Sequence, residues 1–373
     1  MLESVTPGEA ELSLVEALQV SPRAPWSTIA KVLDITPTTA AHRWDRLVAD
    51  GIAWVTAPPG MPVLENQCLA YIEITCRPGS NLAVAHELAR DAHALSVELT
   101  AGSADVFVTA AASDLGTMSR YLLERLGRVD GISGTRTRIA TRLYTEGSAW
   151  RLGTLRQDSI DELIRSRPPR PSSPPPLGPL SAADRQMLVQ LGLDGRASYA
   201  ELAERSGVSA PTARRHVTRL LESGAVIPRT DLAAPLAGYP VLVNLWATAP
   251  IGDLAETARQ LARLRQVRLC VTLAAAPSLL VSCWLRTVEE VHRFELAIAG
   301  RLRQIEVVDR LLVLRTVKRM GRLLDADGRA IGVVPMDVWR DPVPVPAASA
   351  SAHPSIPLPP PRPEPPSIMD LVP

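Results

Sequence analysis

The sequence predicts an α+β protein built as two copies of one module, each a winged helix-turn-helix followed by a ferredoxin-like βαββαβ effector domain, with a disordered Pro-rich C-terminal tail. Three observations lead there. Prolines crowd into two places, 7 of the 34 within 167–179 and 12 within 342–373, which mark a stiff linker and a tail. The segments they bound repeat at a constant offset of 173 residues. Inside each segment the hydrophobic spacing passes from a helical period to alternating helix and strand periods.

The repeat is readable residue by residue. IAKVLDITPTTAAHRWDRLVADG, from Ile29, meets LAERSGVSAPTARRHVTRLLESG, from Leu202. Ala30 falls on Ala203, Thr39 on Thr212, Arg46 on Arg219, Leu47 on Leu220 and Gly51 on Gly224. Further on, Leu88-Ala89-Arg90 falls on Leu261-Ala262-Arg263. One offset held over so long a stretch implies an internal duplication with few insertions. The expected units are winged helix-turn-helices at 1–65 and 180–238, effector domains at 66–166 and 239–340, a linker at 167–179 and a tail at 341–373.

Each copy opens on three helices. Ser181 caps AADRQMLVQLGL, whose Met187, Leu188 and Leu191 form one stripe. Ser198 caps YAELAERSG, which Gly207 stops, and Ser209 caps a third helix with Ala213, Val217, Leu220 and Leu221 at helical spacing. Two short helices around a glycine turn make a helix-turn-helix, and AVIPRT reads as the start of a wing. In the first copy the counterparts are 26–33, a turn at Asp34 and Ile35, 36–50 and the wing IAWVT. Strands follow at 69–76, 94–100, 106–112 and 136–144, with helices at 81–90 and 115–126. The second copy gives strands at 241–248, 267–273, 279–285 and 307–318 and helices at 253–263 and 288–302.

Composition narrows the function. A net charge of +1, from 40 basic and 39 acidic side chains, excludes a histone-like polyanion binder but allows a basic face. Cys68, Cys76, Cys270 and Cys283 lie in strand-like stretches with no C-x-x-C pair and read as small core residues. The six histidines lack metal-ligand spacing, and His86 and His93 read as surface residues. No G-x-S-x-G, Walker loop, H-E-x-x-H or G-x-G-x-x-G occurs, so no catalytic residue, cofactor or metal is expected. With no signal-peptide pattern, and no window near the ~18–20 apolar residues of a membrane span, a cytoplasmic protein is expected.

Double-stranded DNA is the expected partner. Opposite its buried stripe the third helix of the second copy carries Thr212, Arg214, Arg215, Thr218 and Arg219, with Ser209 at its start. Hydroxyls and helix N-termini suit phosphate, and arginines reach guanine edges in the major groove. The first copy offers Thr38, Thr39, His42, Arg43 and Arg46, but Asp45 and Asp50 offset its arginines.

The run DRQMLVQLGLDGRASYAELAERSGVSAPTARRHVTRLLESGAVI closely resembles the Lrp/AsnC (leucine-responsive regulatory protein) family, with Asp184, Arg185, Asp194, Gly195, Arg196, Ser198, Glu201, Leu202, Ala203 and Gly224 in place. The resemblance implies a sequence-specific transcription regulator whose effector domains pair and often bind an amino acid. The family's effector loop carries a Gly-x-x-Asp, which the first copy keeps within Thr100-Ala101-Gly102-Ser103-Ala104-Asp105 and the second, Ala275-Ala276-Pro277-Ser278, lacks. Thr100, Gly102 and Asp105 are thus the expected effector residues, Asp105 for the ammonium and the Gly102 amide for the carboxylate.

Two alternatives belong beside this reading. Tandem modules also resemble enzymes that decarboxylate sirohaem and carry a His-Asn-Tyr-Arg run on the second sensor strand. Ser96-Val97-Glu98-Leu99 and Leu269-Cys270-Val271-Thr272 supply no such run. A co-regulatory subunit without DNA binding is opposed by Arg214, Arg215 and Arg219. Thirteen linker residues at ~3.1 Å each reach roughly 40 Å, enough for the halves to fold together. One chain is therefore expected to form a pseudo-dimer with sheets 69–144 and 241–318 in contact, and chains to associate further in twos or fours.

Overall fold

The computed structural model describes residues 6–167 and 177–343. Most of the expected linker, 168–176, and the tail beyond 343 lie outside the described residues.

The first head comprises α1 (Glu9–Val20), α2 (Trp26–Leu33), α3 (Pro37–Ala49) and β1 (Ala53–Thr56). Helix α2 ends on Asp34 at φ 54°, a left-handed position where the second copy has Gly207 at φ 64°. Aspartate is one of the few residues with a side chain that adopts this conformation readily. Thr36 caps α3 by accepting from the Thr39 amide at 3.1 Å.

A short α4 (Met61–Leu64) leads into β2 (Cys68–Cys76), α5 (Asn81–Leu88), β3 (Ala94–Ala101), β4 (Val106–Ala112), α6 (Leu115–Arg120) and β5 (Ile132–Thr145). Beyond Arg120 the single helix expected to 126 widens into a π-turn over Tyr121–Arg125, then tightens into a 3-10 turn. There Tyr121 is fully buried against His93, ring centroids 5.4 Å apart. His93 is therefore an interior residue, 2% exposed, and not the surface residue its spacing implied.

Residues 157–165 were not expected to form an element. They make α7 (Gln157–Arg165), whose Leu163 joins the apolar core of the first head. The buried Glu16 carboxylate holds the approach, accepting from the Gly153 amide at 2.9 Å and the Leu155 amide at 2.7 Å. A buried carboxylate is retained only with such partners.

The second head is α8 (Ala182–Leu193), α9 (Tyr199–Ser206), α10 (Ala210–Glu222) and β6 (Arg229–Leu232). Ser181, Ser198 and Ser209 cap the three helices as their spacing required, the first two in full capping boxes with Asp184 and Glu201. The second sensor follows as β7 (Val241–Thr248), α11 (Ile251–Leu261), β8 (Val267–Leu273), β9 (Leu279–Leu285), α12 (Glu289–Arg301) and β10 (Glu306–Arg319). A hairpin of β11 (Arg322–Leu324) and β12 (Ala330–Val333) returns to the first head, where the Ala330 amide donates to the Gly51 carbonyl at 2.8 Å.

The strands at the expected wings meet each other across the two copies. Strands β1 and β6 pair antiparallel with each other, Ala53 opposite Leu232 and Thr56 opposite Arg229. Thr56 and Arg229 are also equivalent at the 173-residue offset, so a pseudo-twofold axis passes between them. Below the heads the two sheets join edge to edge. Strand β10 lies between β3 and β7, while β5 lies between β2 and β8. The order β10-β3-β4-β2-β5-β8-β9-β7 thereby closes on itself, a ring of eight strands. Val313 faces Thr100 at one seam and Ala140 faces Leu273 at the other, again the same pairing under the offset.

Helices pack on the outside of each sheet over separate apolar cores, and Tyr71, Phe107, Trp246 and Leu280 fill the inside of the ring. All four cysteines are buried and free, and burial pushes Cys270 up to about 12, so they remain unreactive thiols.

Candidate nucleic-acid interface and ligand sites

Recognition helix α10 packs Ala213, Val217 and Leu220 into its head, which fixes the face turned outward. Arg214 and Arg215 are exposed on that face, and Ser209 is exposed at its start. Thr212 and Thr218 are half-buried, Thr212 closing the cap with its hydroxyl 2.9 Å from that of Ser209.

Arg219 is placed differently from its neighbours. Its guanidinium turns back to the carboxylate of Asp184, which is 1% exposed. His216 Nδ1 meets the same carboxylate at 2.7 Å, and the Ser181 hydroxyl donates to it at 2.7 Å. Burial alone would raise the Asp184 carboxyl; the hydrogen bonds from Arg219, Ser181 and His216 outweigh it and hold the group well below the usual carboxylate range. Arg219 therefore positions α10 against α8, which distinguishes it from the outward arginines.

Helix α3 shows the same plan, weaker. Thr38, His42 and Arg46 are exposed; Thr39 and Arg43 are half-buried. Arg46, at the Arg219 position, is exposed and reaches the partly exposed Glu11 only at 4.0 Å. Where the second head presents Arg214 and Arg215, the first has Ala41 and His42.

The two heads are bolted together by a contact the sequence reading passed over. Arg23 Nη1 and Nη2 donate to the carbonyls of Gly195 and Ala197, at 2.5 and 3.1 Å. Reciprocally, Arg196 donates to the carbonyls of Pro22 and Ala24, at 2.6 and 3.2 Å. Each guanidinium also lies over an aromatic ring of the other copy, Arg196 over Trp26 at 4.2 Å and Arg23 over Tyr199 at 5.8 Å. The signal was present: Arg23-Ala24 and Arg196-Ala197 are identical at the 173-residue offset.

The expected effector loop is largely engaged within the chain. The Thr100 hydroxyl donates to the Ala104 carbonyl at 2.7 Å, and Asp105 Oδ2 accepts from the Cys76 amide at 2.7 Å. Gly102, at φ 135°, lies so close to β10 that a side-chain carbon would meet the Arg310 carbonyl at 2.6 Å. Glycine is required there by the seam between the halves, independently of any ligand.

A cavity of about 140 Å³ lies inside the strand ring, lined by both sensors and roofed by Pro58, Pro59 and Arg229. Its polar wall is a buried charged cluster. Arg229 pairs with Asp231 at 2.6 Å and with Glu146 at 2.9 Å, and Arg268 also meets Asp231. Among the described residues no helix is long and apolar enough to cross a membrane.

Comparison with known proteins agrees with this anatomy. Residues 180–227 match the winged helix-turn-helix DNA-binding family and residues 69–150 the Lrp/AsnC ligand-binding domain family. An HTH-type transcriptional regulator of Pyrococcus horikoshii is 31% identical over 131 residues, 34% of this chain and 87% of that protein. The leucine-responsive regulatory protein of Rhizobium meliloti is 29% identical over 147 residues, 37% of this chain and 92% of that protein. Among solved structures, the siroheme decarboxylase NirDL aligns over 87% of this chain and 95% of its own at a TM-score of 0.53 and 14% identity, a likeness of fold.

Proposed function

The chain belongs to the Lrp/AsnC family of helix-turn-helix transcription regulators, and from that premise we propose that one chain acts as a built-in dimer whose second head carries most of the DNA contact. The observation behind this is the outward face of α10. Arg214 and Arg215 are exposed there while Arg219 and His216 hold the helix in place. Exposed arginines on the second helix of a helix-turn-helix are placed to reach phosphates and guanine edges, each good bidentate base contact giving about 1–3 kcal/mol of discrimination.

The first head would then contribute position more than sequence, through the Thr38 and Thr39 hydroxyls, Arg43 and Arg46. Because β1–β6 pairing and the reciprocal arginines join the heads, their spacing is fixed. A rigid pair of unlike heads reads an asymmetric operator. Selection of binding sites from random duplexes, followed by footprinting, tests this: one strong half-site with a weaker flank is expected, and a perfect palindrome protected equally on both sides contradicts it.

Regulation by an amino acid at the Thr100–Asp105 loop would draw on the Asp105 carboxylate. Calorimetric titration of amino acids into wild type and Asp105→Ala tests it, and binding unchanged by the substitution removes the loop from the site. The decarboxylase fold raises an enzymatic reading. Against it stand Glu98 and Leu269 on the interior wall, where that reading requires a His-Asn-Tyr-Arg run. Association of whole chains in even numbers belongs to the same proposal, with light scattering as its measure.

A further inference from the structure

The interior cavity exists because the two halves differ. Trp284 of β9 and Ala111 of β4 are equivalent at the 173-residue offset, and both line the space. A tryptophan on one side faces the room left by an alanine on the other. The polar wall is equally one-sided: where the second half has Arg268, Asn244 and Arg319, the first has Leu95, Tyr71 and Glu146.

Three features describe what the cavity is fitted for. The first is size. An apolar cavity of about 150 Å³ accepts benzene, and this one, at about 140 Å³, with Leu69, Leu242, Leu269, Met320 and Met336 in its walls, has room for one ring.

The second is Arg319, 7% exposed at the end of β10 and lining the space. Its neighbours Arg229 and Arg268 both hold Asp231, but among the described residues no carboxylate lies within 4.0 Å of Arg319. Its guanidinium donates to the Thr316 hydroxyl at 3.1 Å and lies 4.9 Å from the Trp284 ring, leaving most of its five donors unengaged. Asp231 and Glu98 act on Arg319 only at longer range, so a ligand carboxylate in direct contact would give it the close ion pair it lacks. The third feature is Gln67 in the roof, whose amide nitrogen and oxygen are both buried without a partner among the described residues. Unsatisfied buried amide groups call for a polar group opposite them.

The charges around the site permit an anion. Glu98, Glu146 and Asp231 face Arg229, Arg268 and Arg319. Burial raises the Glu98 carboxyl against the pull of Arg319, the hydrogen bond it accepts from Asn244 at 3.1 Å, and Arg268.

We propose that this cavity is a binding site for a single-ring aromatic carboxylate with a second polar substituent, its carboxylate on Arg319 and its substituent at Gln67. The site is separate from the Thr100–Asp105 loop and belongs to the pseudo-dimer as a unit, since both halves build it. Its roof residue Arg229 sits on β6, the strand that joins the heads; occupancy of the cavity does not rest on the DNA-binding reading.

The test is isothermal titration of the full chain, without DNA, with benzoate, 4-hydroxybenzoate, the neutral isostere benzamide and the two-ring 1-naphthoate. Expected are binding of one 4-hydroxybenzoate per chain, weaker binding of benzoate, a loss of about tenfold or more for benzamide, and no binding of naphthoate. Arg319→Gln should weaken 4-hydroxybenzoate about tenfold or more, and Ala111→Leu, which fills the space, should abolish it. Far-UV circular dichroism and the ligand-free melting midpoint show whether these variants fold; if they do not, the wild-type contrast of benzoate with benzamide decides alone. Absence of binding by both carboxylates, benzamide binding as well as benzoate, or naphthoate binding as tightly as 4-hydroxybenzoate overturns the proposal. DNA affinity of the ligand-free chain, measured separately, reports on the regulator reading whatever these titrations give.

Discussion

The two heads share a backbone plan and differ in what they do with it. In the second, an acid at the third position of the first helix is buried and gathers Ser181, His216 and Arg219. In the first, the equivalent Glu11 is partly exposed and touches Arg46 loosely at 4.0 Å. Outward, the second head shows two arginines where the first shows Ala41 and His42. The first head is instead anchored from behind, by Glu16 on the 153–155 loop and by α7, and position 16 is matched by Val189 in the second. Under the proposed function the second head carries the recognition surface and the first serves as a platform, and the difference lies in side chains of a few positions on a common frame.

The largest expected effect sharpens this contrast. Asp184→Ala removes an acceptor of four hydrogen bonds and should destabilise the chain by about 2–4 kcal/mol. Its depressed folded-state pKa makes the sign definite. The stability it supplies is complete above the unfolded value of 3.8 and is lost as pH falls through and below that value. Thermal melts from pH 7 down to 3 should therefore show wild type losing more stability than Asp184→Ala, and parallel curves would break the account of this cluster.

Next in size are the reciprocal arginines. Arg196→Met should reduce stability by about 1–2 kcal/mol and Arg23→Met by less, because Arg196 lies closer to its aromatic ring. Denaturant midpoints measure both. A double variant no worse than Arg196→Met alone would show the two contacts to act as one seam, whereas full additivity would make them independent. The smallest effect belongs to Glu11→Gln, within about 0.5 kcal/mol of wild type, since a partly exposed pair at that distance contributes little.

Much of this was legible in the sequence because helices and strands report through period and caps. Ser181, Ser198 and Ser209 announced their helices, and the strands at 94–101 and 106–112 fell within a residue of expectation. What escaped reading is relational. The pairing of β1 with β6 depends on strands 173 residues apart meeting across an axis, which no local pattern encodes. Helix α7 is short and follows a loop whose anchor, Glu16, looks like any surface glutamate until it is buried. Arg219 reads as a DNA contact by position; its pairing with Asp184 is visible only in the fold. The cavity arises from Ala111 facing the space opposite Trp284, a difference visible in the offset alignment but without meaning until the ring closes.

The central claim, that recognition belongs to the second head, is tested most directly by fluorescence anisotropy on one selected operator duplex at fixed salt. Wild type is to be compared there with Arg215→Ala and with the equivalent first-head variant His42→Ala. The account predicts a loss of about 1–3 kcal/mol for Arg215→Ala and less than about 0.5 kcal/mol for His42→Ala. Equal losses for the two would contradict it.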